Sequence, residues 1–161
     1  MQILNAQPLS NTDLEELGLS WHTDTDETPY ISNEIVEISE QEAQKFYDAA
    51  NTLYDMYVEA GQYVIDKNLF FDLGIPFNLV EAIKQSWEEE VHWHLYGRFD
   101  FAGGLDGNPI KLLEFNADTP TMVYESSIIQ WALLKKNGFN DTMQFNSLYE
   151  ALGDNFKRMI R

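Results

Sequence analysis

The 161-residue chain carries 27 Asp and Glu against 10 Lys and Arg, a net charge of −17. That balance excludes a nucleic-acid or anionic-membrane surface, and the lack of cysteine excludes disulfides, thiolate zinc sites and a cysteine nucleophile. With 44% apolar and 14% aromatic residues the sequence describes one globular domain with a real core.

Taken in order, residues 1–38 predict an irregular, surface-wrapping arm. A short helix over Asn11–Leu17 is closed by Gly18, and Trp21 and Tyr30 serve as anchors around an acidic, turn-rich TDTDETP segment. His22, alone there, reads as structural. The N-terminus lacks the basic and apolar regions of a signal peptide, and no apolar run reaches the length of a membrane span, so a cytoplasmic protein is expected.

Ser39-Glu40-Gln41-Glu42 is a capping box that opens a long helix. Ala43, Phe46, Tyr47, Ala50, Leu53, Tyr54, Tyr57, Gly61, Val64 and Ile65 recur at helical spacing along it. The aromatic stripe reads as core packing rather than a base-stacking surface. Pro76 opens a further helix from Phe77 toward Glu90. The acids of Trp87-Glu88-Glu89-Glu90 oppose the macrodipole there and favour an earlier stop.

Val91 to Phe101 predicts a strand with His92, His94, Tyr96, Arg98 and Asp100 on one alternating face. The hairpin chemistry of AGGLDGNP follows, and then a returning strand from Ile110 to Asn116. Arg98 and Asp100 sit two apart, as do Glu114 and Asn116, so each pair shares a face of its strand. A tight turn at Asp106-Gly107 pairs Leu105 with Asn108, and continuing that register leaves Glu114 on the wrong side from Asp100. We therefore expect a one-residue shift, from a longer loop or a bulge at Gly103-Gly104. It brings one guanidinium, two carboxylates and one carboxamide to a single patch, a set suited to a hard cation holding a phosphate.

Thr119 as N-cap and Pro120 at the first helical position predict a helix from Thr121 to about Lys136. It is apolar nearly all round and closed by Gly138. Its free N-terminal amides and the Thr119 and Thr121 hydroxyls suit a carboxylate or phosphate, though Thr-Pro-Thr is equally a good helix start. A last helix opens with Ser147-Leu148-Tyr149-Glu150 read as a capping box. The expected fold class is α+β. A helical N-terminal half packs on an antiparallel sheet with a central hairpin (95–116), and a buried helix (121–136) covers one face.

The ordered set Arg98-Phe99-Asp100, Glu114-Phe115-Asn116-Ala117-Asp118-Thr119-Pro120-Thr121 and the helix through Gln130-Trp131 resembles glutathionylspermidine synthase and its relatives, ligases of the ATP-grasp superfamily. The similarity extends from about Trp21 onward, through QSW at 85–87 and QFNSL at 144–148. The resemblance implies an ATP- and magnesium-dependent carboxylate–amine ligase that forms an amide through an acyl phosphate. It implies that Asp100, Glu114 and Asn116 hold the magnesium ions, and that Asp100 and Arg98 contribute to nucleotide binding. Arg98 then lies against the transferred phosphoryl, and Thr119 and Thr121 touch a peptide-like acid. Implied partners are such an acid and an amine, glutathione and a polyamine among the candidates.

Residues 1–161 are then a single domain, the N-terminal portion of a longer synthetase module whose C-terminal half is itself a partner. No later Gly-rich loop or lysine-bearing strand for the nucleotide follows in this sequence, so the chain is expected to carry part of a site and to be inactive alone. Two rival readings stand beside it. His92 and His94, spaced for two imidazoles on one metal, could join Asp100 or Glu114 as a His-based metal enzyme. Alternatively, the chain is a non-catalytic acidic binding or assembly domain.

Overall fold

The computed structural model describes residues 1–89 and 94–160 and is α+β, with two small antiparallel sheets among helices. The first sheet was not expected. β1 (Gln2–Asn5) pairs antiparallel with β2 (Glu34–Glu37), Ile3 against Val36 and Leu4 against Ile35. Each strand is four residues long, too short to show an alternation that stands out from loop sequence.

Between them lies α1 (Asn11–Glu16), with a capping box in which Ser10 and Asp13 satisfy each other's backbone amides. The arm is anchored less by its aromatics than by aliphatics. Leu14 and Leu19 are buried against Ile129, whereas Trp21 and Tyr30 are exposed, Trp21 tilted against Tyr124 and the Tyr30 hydroxyl donating to Glu125 at 2.9 Å. A Lys136–Asp13 ion pair of 2.7 Å and reciprocal hydrogen bonds between Gln7 and Asn137 hold the arm to the C-terminal half.

α2 (Glu40–Lys67) starts at the expected capping box, with Ser39 Oγ accepting from the Glu42 amide and Glu42 from that of Ser39. α3 (Phe77–Glu88) follows, with Pro76 as its N-cap, and ends two residues before Glu90 as the acid-rich terminus suggested. The two helices meet where Trp87 lies over Gly61. A Cβ added at Gly61 comes within 2.8 Å of the ring, and Trp87 Nε1 donates to Gln62 Oε1 at 2.7 Å. The tryptophan of the QSW motif is thus a helix–helix contact.

β3 (Arg98–Ala102) and β4 (Lys111–Asn116) form the central hairpin. The strand is shorter than expected. His94 to Gly97 are not in it, and Val91, His92 and Trp93 lie outside the described residues. On one hairpin face Phe99 stacks on Phe115 at 4.1 Å, and Tyr57 and Phe46 of α2 pack against Phe115 and Phe101. The stripe on α2 is packing only in part: Phe46, Tyr54 and Tyr57 meet hairpin rings, but Tyr47 is exposed and no residue of the helix is fully buried.

The helix after β4 begins later than expected, at Val123, with the Met122 carbonyl as its first acceptor. It passes through a π turn (Glu125–Ile129) into α4 (Gln130–Lys136), and Gly138, at φ 71°, closes it. It is one-sided rather than apolar all round: Ile129, Ala132, Leu133 and Leu134 are buried while Trp131 is exposed. The wider π turn releases backbone carbonyls. Gln144 donates to the Ser126 and Ser127 oxygens and Asn146 to that of Ser126, which accounts for the QFNSL motif. α5 (Leu148–Met159) lacks the expected capping box: Ser147 makes no side-chain cap, and Asn146 Oδ1 takes the Leu148 amide instead.

Glu42 also ties α2 to the hairpin turn, its Oε1 accepting from the Asp106 amide at 2.9 Å. The Ser39 and Asp106 hydrogen bonds hold its carboxyl down at about 2. Because the folded value lies below the ordinary one, Glu42 stabilises the fold fully above about pH 4.3. That contribution drains away as pH falls toward the folded value. Thermal melts should find Glu42→Gln less stable than the parent at pH 6, with the gap narrowing below about pH 4.5 and closing only near pH 2.

Candidate functional site

The site depends first on register. Asp106 (φ 51°) and Gly107 (φ 81°) both take the left-handed conformation of a type I′ turn, and the Asn108 amide donates to the Leu105 carbonyl at 3.0 Å. That turn sets Ala102 opposite Lys111 and Phe101 opposite Leu112. The register then shifts between Asp100 and Phe101, so that Asp100 faces Glu114, Phe99 faces Phe115 and Arg98 faces Asn116. The expected one-residue shift is present. It comes from a bulge that leaves Leu113 as the extra residue of β4, not from a longer loop or a bulge at Gly103-Gly104. Leu113 is 69% exposed; its place in the backbone, rather than its side chain, is what the hairpin uses.

The bulge separates two chemistries. Leu112 and Phe115, three apart, both lie on the aromatic face, while Glu114 and Asn116 join Arg98 and Asp100 on the other. On that polar face Arg98 is the hub. Its Nε and Nη2 donate to the two oxygens of Asp100 at 2.7 and 3.0 Å, a bidentate fork. Nη2 also reaches Glu114 Oε1 at 3.4 Å, and Nη1 donates to Thr121 Oγ1 at 3.0 Å. The Arg98 hydrogen bond holds the Asp100 carboxyl below the usual carboxylate range, with a smaller contribution from Glu114. Asp100 in turn raises the guanidinium.

The segment 117–122 is irregular, and the reason is Asn116. Its Oδ1 accepts from the amides of Asp118 (3.3 Å) and Thr119 (3.0 Å), an Asx turn that holds the chain out of helical conformation where the helix was expected to start. Thr119 is therefore not an N-cap and Pro120 does not open the helix, a correction to the local reading. Tyr96 Oη donates to the Thr121 carbonyl at 3.1 Å, and Met122 follows at φ 77°. A shallow concavity of about 440 Å³ opens beside this segment, lined by Glu114, Phe115, Asn116, Ala117 and Asp118.

Thus the structure gathers Arg98, Asp100, Glu114, Asn116 and Thr121, with Thr119 on the adjoining turn. It does not bring His94 to them. That ring stacks on Tyr54 at 5.7 Å and meets Phe115 edge-on at 5.9 Å, on the aromatic side. His92 lies outside the described residues. Among the described residues no three His, Cys, Asp or Glu side chains converge as a metal-holding group. What is present is a carboxylate pair with a carboxamide, the sparse oxygen set with which magnesium is held when substrate phosphates supply further ligands. Sequence reasoning had placed Tyr96 on the strand face without a role; only the fold of 117–122 shows its contact.

The family model described as glutathionylspermidine synthase preATP-grasp matches residues 1–161. A protein named "putative acid–amine ligase" from Haemophilus influenzae is 33% identical over 135 residues, covering 83% of this chain and 34% of that protein. The bifunctional glutathionylspermidine synthetase/amidase of Escherichia coli is 35% identical over 138 residues, 83% of this chain and 21% of its own length. Trypanothione synthetase of Crithidia fasciculata is 34% identical over 83 residues, 50% of this chain and 13% of that protein. The chain thus spans about a third or less of the curated relatives it matches. No helix among the described residues is long and apolar enough to cross a membrane.

Arg98 is the first-named cause of the low Asp100 value, so its removal has a signed consequence. In Arg98→Met, carboxyl-carbon NMR titration should find the Asp100 midpoint moved upward, back toward the ordinary aspartate range. An unmoved midpoint would contradict the fork.

Proposed function

The chain belongs to the glutathionylspermidine synthase family, through its pre-ATP-grasp region, and on that premise we propose that it supplies part of the site of an ATP- and magnesium-dependent carboxylate–amine ligase. The observation that carries this reading is the bulged pairing of Asp100 with Glu114 and Arg98 with Asn116, which sets four polar side chains on one face.

In the reaction we assign, an oxygen of the acid takes the γ-phosphoryl group of ATP and ADP leaves. The amine nitrogen then attacks the carbonyl carbon of the acyl phosphate. The C–N bond forms, the C–O bond to phosphate breaks, and inorganic phosphate and a proton depart. Peptide-like acids and amines of the glutathione and polyamine kind are the substrate class, as the relatives' names suggest. Residues outside this chain, in the rest of a longer synthetase module, complete the nucleotide site.

Asp100 and Glu114 are the charged ligands and Asn116 the neutral one for magnesium. When bound, the ion neutralises charge developing on phosphoryl oxygens. Asn116 Oδ1 already accepts two amides, so its part as a ligand requires the turn at Asp118 and Thr119 to yield one of them. Arg98 occupies both oxygens of Asp100, so the guanidinium must swing aside for the carboxylate to take a cation. Released, Arg98 still lies within its own reach of Thr121 and can meet the transferred phosphoryl. Thr119 and Thr121 contact the acid. The Thr121 oxygen accepts from Arg98, so its hydroxyl proton points elsewhere and can be donated to a carboxylate.

The decisive measurement is amine-dependent ADP release by the intact gene product. Asp100→Asn and Glu114→Gln should each lower it by about 10²–10³, the usual effect of removing one charge contact at a reacting phosphoryl. Their thermal melts should stay near the parent's. Unchanged turnover in both variants would remove the assigned roles.

A further inference from the structure

Thr121 is held at two atoms by two residues of the same chain segment, one of which has no assigned role. Arg98 Nη1 donates to its hydroxyl oxygen at 3.0 Å, and Tyr96 Oη donates to its carbonyl at 3.1 Å. Upstream, Asn116 fixes the Asp118 and Thr119 amides. Downstream, Met122 is in the left-handed region at φ 77°, a conformation that costs a bulky residue energy and persists only where its surroundings impose it. Between these fixed ends, the peptide plane that follows Thr121 is set by whatever holds its carbonyl. The Tyr96 hydroxyl is the side-chain group that does so, and burial raises its pKa while Arg98 opposes that and Glu125 adds to it.

We infer that Tyr96 is a positioning residue for the acid-binding hydroxyl of Thr121. By anchoring the carbonyl it fixes the backbone of Thr121, so that the hydroxyl accepts from Arg98 and presents its proton to the acid. This rests on the ligase reading above. Tyr96 itself touches no substrate. It acts through Thr121, on recognition of the acid rather than on phosphoryl transfer.

The test is a double-mutant cycle in the intact gene product, with glutathione as probe acid, spermidine as probe amine and ADP release as the signal. Tyr96→Phe, which keeps the ring, should raise KM for glutathione about three- to tenfold, the weight of one ordinary hydrogen bond. KM for ATP and kcat should stay near the parent's. Thr121→Val should raise KM for glutathione in the same way. Adding Tyr96→Phe to it should then change little, because the hydroxyl that Tyr96 positions is gone.

Additive effects in the double variant, an unchanged KM in Tyr96→Phe, or equal changes in KM for ATP and for glutathione would each overturn the inference. A Tyr96→Phe protein that has merely lost structure reveals itself in amide exchange. The positioning role predicts faster exchange at Thr121 and Met122, with protection from Ile129 to Lys136 retained; loss of protection in both regions overturns it. If the parent releases no ADP with these probes while Glu114→Gln is equally silent, the ligase reading fails and this inference with it. If Glu114→Gln abolishes turnover but Tyr96→Phe leaves KM alone, only the inference fails.

Discussion

One guanidinium joins three pieces of chain. Arg98 stands on β3, grips Asp100 of its own strand in a fork, touches Glu114 across the ladder and reaches Thr121 beyond the end of β4. A lysine could not replace it, because a point charge on a flexible stem cannot fill a fork and still donate sideways to a hydroxyl. The demand this places on the backbone is strict. Glu114 must be on the Arg98 face, and the type I′ turn by itself would put it on the other. The extra residue at Leu113 resolves the conflict within the strand, leaving both the turn and the polar patch intact.

The rigidity of that patch comes from the opposite side of the hairpin. Phe99, Phe101 and Phe115 form a continuous stack there, and Phe46, Tyr54 and Tyr57 of α2 pack against it. Offset and tilted ring pairs of this kind add roughly 0.5–1.5 kcal/mol each beyond the area they bury. At the far end, the Asp106 amide on the Glu42 carboxylate pins the turn to the start of the same helix. α2 therefore acts as a splint along the hairpin, and the polar face can remain open to solvent without loosening the strands that carry it.

What was legible in the sequence was what depends on a few neighbouring residues or on sheet parity. The Ser39 capping box and the Asp106-Gly107 turn are local, and both formed as read. The need for a shifted register followed from the even spacing of Arg98, Asp100, Glu114 and Asn116. Its place was not read: the shift was expected at Gly103-Gly104, and the structure puts it at Leu113. The readings that failed were decided by neighbouring side chains. Thr119 and Ser147 each had a credible capping sequence, but Asn116 turns the chain back on the Asp118 and Thr119 amides, and Asn146 takes the Leu148 amide at the start of α5. Tyr96 escaped notice because its partner is a carbonyl 25 positions away, placed only once the segment after β4 is known.

That segment shows how the lost helix start becomes a feature of the site. Had Thr119 capped a regular helix, Thr121 would have lain in its first turn, with its orientation set by helical geometry. Instead Asn116 diverts the first amides, and Met122 turns the chain through a left-handed step before the helix begins at Val123. The π turn that follows gives up further regular hydrogen bonds, and Gln144 and Asn146 make them good from outside the helix. Each departure leaves polar groups that the regular helix would have consumed, and each finds a side chain from another part of the chain. The Thr121 carbonyl and hydroxyl are two such groups, and both are answered from the segment that carries the Arg98–Asp100 pair. Irregularity here is thus coupled to the hairpin: altering how the strand presents Arg98 or Tyr96 alters where Thr121 stands, even though no strand residue is adjacent to it in sequence.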